Sequence, residues 1–273
     1  MNFPPSIKAI FPTLFMGLIM CCIQLLSPLN FWIDWYVQPQ TLGNYCEQQL
    51  LDAVFREPIS SWSNLIYWYL GWWILFDPKS QHSTNFLYSN NGYIWYWGVL
   101  YLFMGTASWF FHASIASIAL AFDMGGVYIS FLLPFILNLH RILNYSSGNP
   151  AEKSTTLMCG LPLFAVTVGG TLGYLEDSFN SIPVVLFGLV LNVVMFVYIE
   201  MKWTTYANTR YLWIALILIL CAAFSWCADK FRLVCDADGW IHGHAVWHVL
   251  MSVGAFQMYR YLKSEGTEAN VQS

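Results

Sequence analysis

Tyr211-Leu212-Trp213-Ile214-Ala215-Leu216-Ile217-Leu218-Ile219-Leu220-Cys221-Ala222-Ala223-Phe224-Ser225-Trp226-Cys227 contains no charged residue. As a helix it is long enough to cross a bilayer, which takes roughly 17–25 apolar residues. Comparable runs cover residues 10–26, 59–76, 93–111, 115–138, 156–174, 183–198 and 240–261, giving eight expected spans. Composition agrees: the 273 residues are 58% hydrophobic and 10% charged, against about 25% charged in a soluble domain. The 14 Trp, 16 Tyr and 20 Phe gather near segment ends, as interfacial aromatic belts do. A soluble chain of this composition would expose too much apolar surface. The reading is an all-α, polytopic transmembrane helix bundle. A net charge of −4 argues against a nucleic-acid partner.

Residues 1–30 form an expected N-terminal transmembrane helix. Leu26-Ser27-Pro28-Leu29 lacks a small-x-small cleavage pattern, so it reads as an anchor more than as a cleaved signal. Residues 31–264 form the main domain, and 265–273 a short polar tail expected to be disordered. Eight spans place both termini on one side. Lys8, Lys79, Arg141, Lys153, Lys202, Arg210, Arg260 and Lys263 fall there, and Arg56, Lys230 and Arg232 on the other. That asymmetry predicts cytoplasmic termini.

The same topology brings four costly residues to the non-cytoplasmic face. His112 ends the third span, Asp123 opens the fourth, and His244 and His248 open the eighth. Ionisable groups at membrane depth are usually functional, and i, i+4 imidazoles are a common metal grip. Taken singly, each has a plainer role: a satisfied buried histidine, an interhelical acid, an interfacial pair. Taken together they predict a zinc ion held by three imidazoles with one position open to water. Asp123 is then a general base and acid. Ser108, one turn before His112, is placed to hydrogen-bond an oxyanion or the water. His82, His140 and His242 read as surface or interface residues.

A second polar cluster, Asn44-Tyr45-Cys46-Glu47-Gln48-Gln49 with Glu57-Pro58, offers oxygens suited to calcium. The plainer alternative is capping, with Pro58 at the first helical position and Glu57 against the positive helix end. Cys21, Cys22, Cys159 and Cys221 read as buried small hydrophobes. Cys46, Cys227 and Cys235 lie toward the oxidising side; Cys46–Cys235 is the expected disulfide, with Cys227 as the alternative partner. No G-x-S-x-G or H-E-x-x-H is present, which disfavours a serine hydrolase or a soluble-type zincin.

Three segments carry a family resemblance: Tyr45-Cys46-Glu47 with Glu57 and Trp62-Ser63-Asn64; Ser108-Trp109-Phe110-Phe111-His112 with Asp123; and Trp226-Cys227-Ala228-Asp229 with Gly243-His244-Ala245-Val246-Trp247-His248. The chain resembles the alkaline ceramidases, within the membrane hydrolase superfamily that includes the adiponectin receptors. The resemblance implies a seven-helix core, here with one extra N-terminal helix. It implies zinc on His112, His244 and His248, catalytic roles for Ser108 and Asp123, and hydrolysis of ceramide to sphingosine and free fatty acid. It also implies calcium at Asn44, Tyr45, Glu47, Gln49 and Glu57. There the chain departs from the family, which favours Asp at position 44, Asn at position 49, and one more residue between Glu47 and Glu57. The expected partner is a ceramide-like lipid. The alternatives are a lipid esterase of the same superfamily and a receptor-like protein with structural zinc.

Overall fold

The computed structural model describes residues 3–29, 31–37, 42–43, 45–77, 85–148, 154–175, 181–203 and 207–265. It is helical throughout, with no strand among the described residues: α1 (Pro5–Leu26), α2 (Pro58–Ser63), α3 (Leu65–Phe76), α4 (Phe86–Ser89), α5 (Gly92–Ser114), α6 (Ser117–Ser146), α7 (Thr155–Tyr174), α8 (Ser181–Lys202), α9 (Thr209–Lys230) and α10 (Gly243–Lys263). α2 and α3 follow one another through Asn64, which keeps helical angles. They make one rod, so, apart from the four-residue α4, eight rods stand among the described residues where eight apolar runs were expected. Of these, α1, α6, α7, α8 and α9 are long and apolar enough to cross a membrane.

Backbone polar groups inside lipid must be satisfied within the segment, which is why apolar runs of this length become helices. Proline is tolerated within such helices where neighbours cover the freed groups; Pro12, Pro134 and Pro162 lie inside α1, α6 and α7. The rods pack where side chains are small. Gly125 of α6 faces Gly169, Gly170 and Gly173 of α7, with no side chain intervening, the usual device for close helix approach in membranes.

α1 lies outermost, with only Ala9 and Met20 fully buried. Its C-terminal end meets the start of α2, where Trp62 Nε1 donates to Gln24 Oε1 at 3.3 Å. The start of α2, the end of α5, the end of α9 and the start of α10 therefore share one end of the bundle. The free ends of α1 and α10 lie at the other.

At that far end Arg141 is fully buried inside α6 and paired with Glu265. Glu265, the first residue of the expected tail, is thus an ordered buried partner; residues 266–273 lie outside the described residues. A buried guanidinium left without a counter-charge would be strongly destabilising, and Glu265 supplies that charge. Arg141, counted above among the cations on the side of the termini, spends its charge internally.

At the site end Cys46 and Cys235 form a disulfide with Cα atoms 5.5 Å apart, while Cys227 is free. Of the four cysteines expected to be buried, Cys22, Cys159 and Cys221 are exposed on the outer faces of their helices and Cys21 is half-buried. In a bilayer an outward face meets lipid, so an apolar thiol needs no protein cover there. The Cys46–Cys235 link closes 189 residues. Spans confined to a bilayer keep much of their order when unfolded, so the gain sits near the ordinary 2–4 kcal/mol rather than above it. Cys235→Ser is expected to lower stability by about that amount, measured by thermal unfolding in detergent with wild type under reducing conditions as the matched control.

Candidate metal centre

His112 sits in the last turn of α5, and His244 and His248 one turn apart at the start of α10. All three are buried, and one donor atom from each lies within 4.8 Å of the others. His244 Nε2 and His112 Nε2 are 3.0 Å apart. These residues, 132 positions apart in sequence, can hold a metal ion between them.

The other ring nitrogens of His112 and His248 are fixed. His112 Nδ1 donates to Glu57 Oε2 at 2.5 Å. Ser63 Oγ lies 2.7 Å from His248 Nδ1 and gives its own proton to the Ser60 carbonyl, also 2.7 Å away. With that proton spent, Ser63 accepts from His248. Both rings then carry hydrogen on Nδ1 and present a bare Nε2 to the centre, the arrangement metal-bound histidines need. Ser108 Oγ stands 3.4 Å from His248 Nε2. The ring of Tyr45 stacks on His244 with centroids 3.7 Å apart.

The backbone around the site is braced. Glu57 and Arg56 donate their amide N–H to the carbonyls of His112 and Ala113, and Arg56 Nη1 donates to the Ser114 carbonyl at 2.7 Å. This holds the end of α5, where Ile115 adopts φ 53°, a rare conformation for a β-branched residue. Asp229, in the last turn of α9, accepts from Cys46 N at 2.8 Å and from His244 N at 3.0 Å. It thereby caps α10 from a neighbouring helix. Gly243 makes this possible: a Cβ there would lie 2.6 Å from the Ser225 carbonyl oxygen and 2.9 Å from Asp229 Cβ.

Asp123 is buried in the second turn of α6 and stands outside the cluster of histidine donors. It lies close enough to Tyr45, Tyr67 and His112 for its charge to act on all three. Burial pushes the Tyr45 phenol far above its ordinary range, and the charges of Asp123 and Glu57 push it further.

Among the described calcium candidates, Glu47, Gln49 and Glu57 have hydrogen-bond partners of their own. Asn44 lies outside the described residues. Glu47 Oε1 accepts from Ile59 N at 2.6 Å, and Oε2 from Ser60 N and Ser60 Oγ at 2.9 and 2.6 Å. Glu47 therefore caps α2, a role that the plainer of the two sequence readings offered to Glu57. Pro58 does open the helix, but Glu57 makes no capping bond; its carboxylate turns to His112. Gln49 Nε2 donates to Glu57 Oε1 at 2.8 Å.

Ser63 and Asp229 carry roles in the site that sequence reasoning left unassigned. Both stood inside the quoted motifs, but a serine against an imidazole and an acid against two amides are visible only in three dimensions. His140 and His242, expected at the surface or interface, are both buried. His140 faces the Tyr93 hydroxyl at 3.0 Å, while neither ring nitrogen of His242 has a hydrogen-bond partner among the described residues. His82 lies outside the described residues.

A bundle of membrane-crossing helices with a buried three-histidine cluster at one end defines a polytopic membrane protein whose histidines could hold a metal ion. The ceramidase family model matches residues 38–272, and the chain belongs to that family. The match leaves α1 outside it. No curated protein and no solved structure matches the chain. Membership carries the general activity of the family, hydrolysis of an amide bond in a ceramide-type lipid.

Proposed function

We propose that the protein is a zinc-dependent amidase that hydrolyses ceramide to sphingosine and free fatty acid within the membrane. The carrying observation is the convergence of His112, His244 and His248, with two of the rings fixed from behind by Glu57 and Ser63. Three imidazoles and no thiolate suit zinc. Tetrahedral Zn–N bonds of about 2.05 Å place nitrogens about 3.3 Å apart, close to the 3.0 Å between His112 and His244. Among the described residues the donor set stops at three, the number found in catalytic rather than structural zinc sites.

When bound, zinc supplies a nucleophile at neutral pH and polarises the amide carbonyl. The chain's own groups do the rest. Asp123 takes a proton from the attacking water and delivers it to the departing nitrogen of the sphingoid base as the C–N bond breaks. Ser108 donates a hydrogen bond to the oxygen that gains negative charge. An apolar pocket lined by Tyr67, Trp97, Tyr101, Met104, Phe131 and Met251 suits the lipid chain. It adjoins the centre through Tyr67, whose ring centroid is 6.1 Å from that of His248. A polar centre beside an apolar pocket is what cleaving a lipid at its head requires.

We infer that both termini are cytoplasmic and that the site faces the opposite side. Lys8, Lys202, Arg210, Arg260 and Lys263 lie at the far end, which supports this orientation. So does a disulfide at the site end, since disulfides persist in oxidising compartments.

The test is hydrolysis of defined ceramides by purified protein in detergent. Chelation is expected to abolish release of fatty acid, and stoichiometric zinc to restore it. Activity that survives complete zinc removal would overturn the reading. Cleavage of ester-linked lipids with ceramides untouched would move the assignment to an esterase.

A further inference from the structure

We propose that Glu57 is the positioning residue of the metal centre, and that in this chain Gln49, not a calcium ion, holds it in place. The proposal rests on the zinc reading above and departs from the family expectation at the N-terminal motif.

The assignment follows from counting oxygens. A calcium ion takes six to eight oxygen ligands at about 2.3–2.6 Å. Each carboxylate offered to it already faces N–H or O–H donors. Glu47 spends both oxygens on the first turn of α2, through Ile59 N, Ser60 N and Ser60 Oγ. Glu57 spends Oε2 on His112 Nδ1 and Oε1 on Gln49 Nε2. Gln49 Oε1 in turn accepts from Gly43 N at 3.1 Å, which fixes the amide with its N–H side toward Glu57. A donor therefore points at Glu57 where a calcium cage would need an acceptor. The sequence departures have the same sense. Gln49 replaces Asn with a side chain one methylene longer, and the interval to Glu57 is one residue shorter, so the amide reaches the carboxylate directly.

The consequence for the centre is mechanical and electronic. Glu57 is fully buried, and its backbone N–H is tied to the His112 carbonyl. The residue thus grips His112 at both main chain and ring. A carboxylate behind an imidazole fixes the tautomer, orients the ring and makes Nε2 a stronger donor to metal.

Zinc affinity of the full-length protein, measured by chelator competition without substrate, tests this directly. Glu57→Gln, which keeps size and an acceptor oxygen, is expected to weaken zinc binding about 10–100-fold, with the zinc-free protein unfolding at the wild-type temperature. Gln49→Leu is expected to weaken it in the same direction by a smaller factor. Wild-type zinc affinity and ceramide turnover, both read at buffered free zinc, are expected to be the same without calcium and in millimolar calcium. Wild-type zinc affinity in Glu57→Gln, or a several-fold rise in wild-type affinity or turnover on adding calcium, would overturn the proposal. Because zinc is read without substrate, a protein that bound zinc but cleaved no ceramide would defeat the functional reading and leave this one standing.

Discussion

Asp123→Asn is expected to retain zinc at wild-type affinity while hydrolysing ceramide about 10²–10⁴-fold more slowly. His244→Ala is expected to lose both. The contrast separates the two proposed roles. Asp123 is buried on α6, outside the histidine donor cluster, so exchanging its carboxylate for an amide removes a proton acceptor without removing a ligand. His244 is one of three donors, and its Nε2 faces His112 Nε2 at 3.0 Å. Its loss leaves two imidazoles, too few for a stable zinc site. Ser108→Ala falls between, because a lost hydrogen bond to a developing oxyanion slows turnover without emptying the centre. Metal content and kcat/KM, measured on the same preparations, decide the matter. An Asp123→Asn protein that loses zinc would make Asp123 a ligand, and one of wild-type rate would have no proton-transfer role.

Much of the architecture is legible in the sequence because a bilayer imposes one simple rule, and the runs at 59–76, 93–111 and 211–227 became helices within a few residues of expectation. The convergence of His112, His244 and His248 was legible too, since topology fixes which end of each span faces which side. What stayed hidden depends on side chains meeting across the bundle. Glu57 preceding Pro58 looks like a helix cap, and only the fold shows its carboxylate on His112 and Glu47 capping in its stead. Ser63 and Asp229 act through the Nδ1 of one histidine and the amide of another, relations that no linear spacing encodes. His242, read as a surface or interface residue, is buried, because a side chain two positions from His244 points away from the histidine cluster yet still into the protein.

Arg141→Met is expected to destabilise the protein by about 3–5 kcal/mol, with the metal centre intact below the unfolding temperature. The guanidinium is fully buried at the end of the bundle away from the histidines. It donates to Asn138 Oδ1 at 2.7 Å, pairs with Glu265, and lies 5.8 and 5.7 Å from the rings of Phe196 and Tyr261. Asn85 Nδ2 donates to the carbonyls of Leu262 and Glu265 at 3.1 and 2.8 Å, seating the acid. Burial raises the Glu265 carboxyl above its ordinary range against the pull of Arg141. Methionine fills most of the volume but strands Glu265, and Glu265→Gln strands Arg141. Breaking a buried pair from one side leaves an uncompensated charge, whereas removing both partners does not. The double variant Arg141→Met/Glu265→Gln is therefore expected to recover part of the loss. Thermal unfolding of the three variants forms a double-mutant cycle, and a cycle showing no coupling between positions 141 and 265 would reduce the pair to a bystander.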